Sequence, residues 1–281
     1  MTKNEAVKTS PRVIAICSGK GGVGKTFFSI HLASKAGQQG LRVLLLDADL
    51  GMANVDVMLG MSGKGSIRQV LSGAARLSDV LVHTKQGFDV LPGGSGFSDL
   101  SALNTQQQQI LMDEMREAEK NYDLVLIDTA AGIGDNVLFF VASAESSLVV
   151  LTPDPTSLTD AYALIKVLSQ QRDVHRFMVL VNQVDAFEGE LTFRRLMSVA
   201  DRYLDVQLDY VGCVPNSKDV QKAVQRQSLL TSGEAFQAMD IALSSVLSRP
   251  RDDSRQGGLQ FFWEHSLGQG LNAEQGVGSS V

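Results

Sequence analysis

The sequence predicts an α/β fold in which a mostly parallel β-sheet is flanked by helices on both faces. Three observations carry the prediction. Short apolar runs rich in branched residues recur along the chain, segments with helical spacing separate them, and a glycine-rich loop joins the first run to the first such segment. With 281 residues, 44% of them hydrophobic, the chain can bury a sizeable core in one α/β domain.

Taken in order, the strands are expected at 13–17, 43–46, 124–127, 148–151, 177–181 and 206–211. Each is too short for a helix, and the first five are too uniformly apolar for a surface strand, as a strand covered on both sides must be. Helical spacing marks 26–39, 105–120, 158–170 and 192–203. In sheets of this kind ligands sit beyond the carboxyl ends of the strands. The reading places a flexible start at 1–11, the folded domain at 12–249, and a linker, short amphipathic helix and loose tail at 250–281.

The formal charge of −6 gives no long-range attraction for nucleic acid or acidic membrane, so no specific nucleic-acid partner is expected. Only two cysteines occur, Cys17 and Cys213, each within an apolar run that reads as a buried strand. They form no zinc or iron–sulfur spacing, which points to a reducing compartment. The first eleven residues lack the apolar core of a secretory signal, and no stretch approaches the roughly 20 apolar residues a membrane span needs. A cytoplasmic protein is expected.

Gly19-Lys20-Gly21-Gly22-Val23-Gly24-Lys25-Thr26 follows the first strand and opens the first helix. The spacing is that of a P-loop, in which glycines let backbone N–H groups turn inward around phosphate oxygens and the helix N-terminus adds partial positive charge. Lys25 would neutralise the β- and γ-phosphates, and the Thr26 hydroxyl would ligate Mg2+. The fold class is therefore that of a P-loop NTPase. The run 124–127 ends in Asp128, matching a Walker B strand whose carboxylate holds magnesium through water, and Thr129-Ala130-Ala131-Gly132 can form a loop that answers to the γ-phosphate. Asp47-Ala48-Asp49 ends the second strand, where the chain either turns both carboxylates toward the phosphates or caps the next helix. Asn182 ends the fifth strand; its amide suits either an adenine edge or a polar turn.

Lys20 by itself reads as a solvated charge. Together with its neighbours, however, Lys20-Gly21-Gly22-Val23-Gly24-Lys25-Thr26 resembles the deviant Walker A motif of the MinD/ParA family of dimerising ATPases, which are SIMIBI-type P-loop proteins. The resemblance covers the chain to about Arg249. It implies ATP and ADP as ligands, an ATP-bound homodimer, and a Lys20 that reaches the partner subunit's phosphates. It also implies that Asp49 orients or deprotonates the attacking water, that Asp47 lies near the magnesium, and that Asn182 and Pro215 flank the base. Phe27 stands where relatives often carry a small polar residue beside the α-phosphate, and Asn216-Ser217 replaces a frequent acidic residue of the base loop.

Asp47 to Asp56, Asp128 to Asp135, Asp154 to Lys166 and Asp201 to Val206 narrow the resemblance to the flagellar branch, called FlhG or FleN. That branch limits the number and position of flagella. It implies a flagellar transcription activator, an SRP-type GTPase and a flagellar switch component as partners. Residues 1–12 show no copy of the GTPase-activating motif of some relatives. Asp160 is a candidate for the dimer interface or the magnesium shell.

On a helix, Leu259, Phe262, Trp263 and Leu267 share one face. The segment 259–267 resembles a tail helix that touches membrane at the cell pole or inner membrane, docks on its own domain, or binds a partner; it carries Glu264 and no basic residue. A ParA-type protein that binds DNA without sequence preference is the alternative function, opposed by the acidic charge and by the Asp154 to Lys166 stretch.

Overall fold

A computed structural model describes residues 10–61, 65–94 and 102–251. The strands are β1 (Arg12–Ser18), β2 (Val43–Ala48), β3 (Val82–His83), β4 (Asp89–Leu91), β5 (Leu124–Ala131), β6 (Ser146–Leu151), β7 (Arg176–Asn182) and β8 (Gln207–Val214). They form one sheet in the order β3-β4-β2-β5-β1-β6-β7-β8, parallel except for the β3–β4 pair. Since β1 lies at the centre, flanked by β5 and β6, the loop that follows it opens at the middle of the carboxyl edge.

The helices are α1 (Lys25–Gln38), α2 (Val55–Met58), α3 (Ile67–Leu71), α4 (Leu77–Val80), α5 (Thr105–Ala118), α6 (Asp135–Ala142), α7 (Pro155–Arg172), α8 (Ala186–Tyr203), α9 (Lys218–Gln225) and α10 (Glu234–Ser248). Two cores result, one per face. Val13, Ala15 and Cys17 of β1 pack with α3 to α8, whereas Ile14 and Ile16 pack with α1, α9 and α10. Alternate side chains of one strand thus enter opposite cores, and both sets must be apolar, which is why the central strands read as unbroken hydrophobic runs.

All six expected strands are present. The short hairpin β3–β4 is additional; its two and three residues carry too little pattern to stand out from a loop. Helix α7 begins at Pro155 rather than 158, because Asp154 accepts a hydrogen bond from the Thr156 N–H and Pro155 occupies the first turn. Helix α8 likewise begins at Ala186, capped by Asp185. Helix α10 was not among the expected helices, although its buried residues Ala235, Met239, Ala242, Leu243 and Val246 repeat at helical spacing. Cys17 is fully buried as expected, but Cys213 is only half-buried, because β8 is an outer strand. No helix among the described residues is long and apolar enough to cross a membrane. Residues 1–9 of the expected flexible start and the segment 259–267 lie outside the described residues.

Candidate nucleotide site at the carboxyl edge of the sheet

The loop between β1 and α1 is shaped by glycines at positions other residues could not fill. Gly22 and Gly24 have φ of 76° and 102°, in the left-handed region. At Gly19 the restraint is contact: a Cβ there would lie 2.2 Å from the backbone of Asp160 in α7. Helix α1 opens on Gly24 with no side-chain cap and no acidic residue in its first turn. Its free N–H groups and dipole therefore face the loop, the arrangement that receives an anion.

Lys25 is buried, with its Nζ donating to Ser18 Oγ at 2.9 Å. Burial lowers its pKa, while the charges of Asp128, Cys17 and Asp49 push it back up. Ser18, itself fully buried, donates to the Lys20 carbonyl at 2.7 Å. Val23 packs into the core, and Gly21 and Gly22 are exposed at the loop's rim.

Asp47 and Asp128 meet toward the carboxyl ends of β2 and β5, where they are register partners. Asp128 accepts from Ser29 Oγ at 2.8 Å and is also hydrogen-bonded by Thr26. Asp47 accepts from the backbone N–H groups of Asp49 (3.2 Å), Asn54 (3.1 Å) and Val55 (3.1 Å), so it pins the turn that carries Asp49. Burial raises the pKa of both carboxyls, and the charge of Asp128 raises that of Asp47 further. Two desolvated carboxyls beside a threonine hydroxyl and a lysine fit a hard divalent cation, whose charge would relieve their repulsion. Asp49 is half-buried and accepts from the Met52 N–H at 3.0 Å.

Lys20 is held within its own chain. Its Nζ lies 2.5 Å from both Asp154 Oδ2 and Thr156 Oγ1, at the first turn of α7. The lysine, with help from the Thr156 backbone, holds the Asp154 carboxyl down at about 2.

Three of the expected site residues make contacts that the sequence did not indicate. Asn182 reaches the loop, but its Nδ2 donates to the Val23 carbonyl at 2.8 Å and its Oδ1 accepts from the Gln183 N–H, so in this structure it buttresses the P-loop. The Phe27 side chain is 6% exposed and packs at a tilt against the His31 ring within the α1–α10 core, which leaves only its backbone to face a nucleotide. Pro215 follows β8 beside this turn, since the Val184 N–H donates to the Val214 carbonyl at 3.1 Å. Asp160 meets Gly19 through its backbone rather than through its carboxylate.

Ser18, Ser29, Asp154 and Thr156 also lie at this site; Asp154 and Thr156 belong to the stretch Asp154 to Lys166, but the motifs assign neither to the loop. Asp154-Pro155 carries a helix-start signal, but nothing in the sequence ties it to Lys20, 134 positions away. Serines beside or within a P-loop helix carry no signal of their own.

Comparisons with known proteins agree with this geometry. The AAA domain family model matches residues 11–179. The Antiactivator FleN of Pseudomonas aeruginosa is 42% identical over 90% of this chain and 92% of its own length. The Flagellum site-determining protein YlxH of Helicobacter pylori is 34% identical over 79% of this chain and 76% of its own. The cell division ATPase MinD of Pyrococcus furiosus superposes with a TM-score of 0.70 at 23% identity, over 84% of this chain and 98% of its own. MinD in the MinC:MinD complex of Aquifex aeolicus gives 0.68 at 26% identity, over 86% and 97%. A glycine-shaped loop at an uncapped helix start, a second lysine within it, two buried carboxyls near the ends of neighbouring strands and relatives matched along most of their length lead to one assignment: the chain belongs to the MinD/ParA family of ATPases, in its FlhG-like branch.

Proposed function

We propose that this ATPase is a nucleotide-switched regulator of flagellar number or placement. In this reading it dimerises with ATP, antagonises a flagellar transcription activator and acts with an SRP-type GTPase. The similarity to an antiactivator and to a flagellum site-determining protein supports the biological reading. The observation that carries the switch is the in-chain grip on Lys20 by Asp154 and Thr156. A lysine that is to serve a neighbouring subunit's phosphates must first leave these partners, so the monomer and the dimer become distinct states.

The residue roles follow the geometry. Backbone N–H groups from Gly19 to Phe27 cradle the phosphates, and Lys25 balances their charge. Thr26, Asp128 and Asp47 are the residues that would hold Mg2+, which when bound would supply charge neutralisation for the transferring phosphoryl group. Asp49 sits on a turn fixed by Asp47, suited to orienting a water. Asn182 and Pro215 flank the base, and the amide of Asn182 retains one N–H beyond its bond to Val23. Sedimentation of wild type and Lys20→Ala, each with ATP and with ADP, tests the switch. ATP-specific dimerisation of the wild type alone is expected, and equal masses in all four samples would remove the reading. Contact of 259–267 with membrane is tested by deleting residues 257–281 and measuring ATP-dependent liposome co-sedimentation; unchanged sedimentation rejects it.

A further inference from the structure

Ser18 lies outside the glycine-lysine signature, yet it touches both lysines of the loop. It is the last residue of β1, is fully buried, and is tied by its hydroxyl in two directions. The oxygen accepts from Lys25 Nζ at 2.9 Å, and its proton goes to the Lys20 carbonyl at 2.7 Å. A hydroxyl can do both at once, being acceptor and donor. Among the described residues this is the one hydrogen bond made by the Lys25 ammonium.

Lys25 is 8% exposed, so its ammonium has little water to bind, while Asp128 and Asp49 act on it only as nearby charges. A lysine side chain has several rotatable bonds, and fixing them at the moment of binding costs entropy that an existing partner removes beforehand. An ammonium also has three donors, so one can stay on Ser18 while two turn to phosphate oxygens.

We propose that Ser18 is a positioning residue for phosphate binding: its hydroxyl holds the Lys25 ammonium before and during nucleotide occupancy, and its second bond fixes the backbone that carries Lys20. One buried hydroxyl thereby sets the cis lysine and the start of the trans lysine together. The inference rests on the reading of Lys25 as the phosphate-binding lysine.

The test is a double-mutant cycle on full-length protein, read as ADP affinity with magnesium by calorimetry, with melting midpoints confirming folding. Ser18→Ala should weaken ADP binding about five- to tenfold, the upper scale of ordering one rotamer-rich side chain on binding, because the hydrogen bond itself is present in both the free and the occupied state. In a Lys25→Met background the same change should alter affinity less than twofold, because the group it positions is gone. Ser18→Thr, which keeps the hydroxyl, should bind within about threefold of wild type. Equal affinity of Ser18→Ala and wild type overturns the proposal, as does an undiminished loss in the Lys25→Met background, which would mean general loosening of the loop. Should Ser18→Ala melt early, the Ser18→Thr comparison decides: threonine binding as weakly as alanine overturns the positioning role. Failure of the wild type itself to bind ADP would instead refute the P-loop reading, a separate outcome.

Discussion

Asp47 and Asp128 stand opposite one another toward the carboxyl ends of adjacent strands, each at most 2% exposed, so two carboxyls share one desolvated corner of the sheet. Asp128 has hydroxyl partners, whereas both oxygens of Asp47 are taken by backbone N–H groups. Their replacements should therefore fail differently. Asp128→Asn should leave stability near wild type and lower Mg2+-dependent ATP hydrolysis by at least about 100-fold, checked by phosphate release. Asp47→Ala should cost about 2–3 kcal/mol in urea unfolding, because three N–H groups lose their acceptor.

The pair between Lys20 and Asp154 is partly exposed, at 37% and 44%. Solvent screening limits such a pair to about 0.2–1 kcal/mol. Each dimer releases two such pairs, so Asp154→Asn should shift ATP-driven dimerisation to lower protein concentration by about two- to thirtyfold, measured by analytical ultracentrifugation. A shift of several hundredfold would mean that Asp154 does more than hold the lysine.

Gly19 allows α7 to press against the loop. Gly19→Ala places a carbon 2.2 Å from the Asp160 backbone, which neither element can relieve by rotating a side chain. The expected result is a loss of at least about 2 kcal/mol of stability and weakened ADP binding, read by thermal melting with and without nucleotide. Gly21→Ala, whose added carbon would meet only Ala131 at 4.0 Å, is the matched control.

His31 is held neutral. Its Nδ1–H donates to the Phe27 carbonyl at 2.7 Å, and its Nε2 accepts from the Leu230 N–H at 2.9 Å. Protonating Nε2 would set two N–H groups against each other, and burial drops the pKa to about 4. The unfolded histidine takes up its proton near pH 6.5 while the folded one resists. Stability is thus complete above that value and declines as pH falls toward 4, by about 3 kcal/mol in total. His31→Gln should lose this decline, seen by comparing chemical unfolding of the two proteins at pH 7.5 and 4.5.

The residues legible in the sequence were those whose partners lie close along the chain. Lys25 and Thr26 follow their strand within one motif, and Asp128 ends an apolar run, so spacing alone located them. Asn182 was legible as a site residue but not as a support of the loop, because its bond to Val23 spans 159 positions. Phe27 shows the same limit: the family resemblance placed it beside the α-phosphate, while the helical turn carried its ring to His31. The in-chain anchor of Lys20 depends on where α7 lies across β1, which no local pattern encodes. Among elements, α10 carried readable periodicity, whereas β3 and β4 did not.

Helix α7 meshes with the loop like one gear with another, with the backbone at Asp160 seated against Gly19 and its leading end hooked by Lys20. A shift of the loop at this contact would therefore bear directly on the start of the 18-residue helix, which also packs on α8.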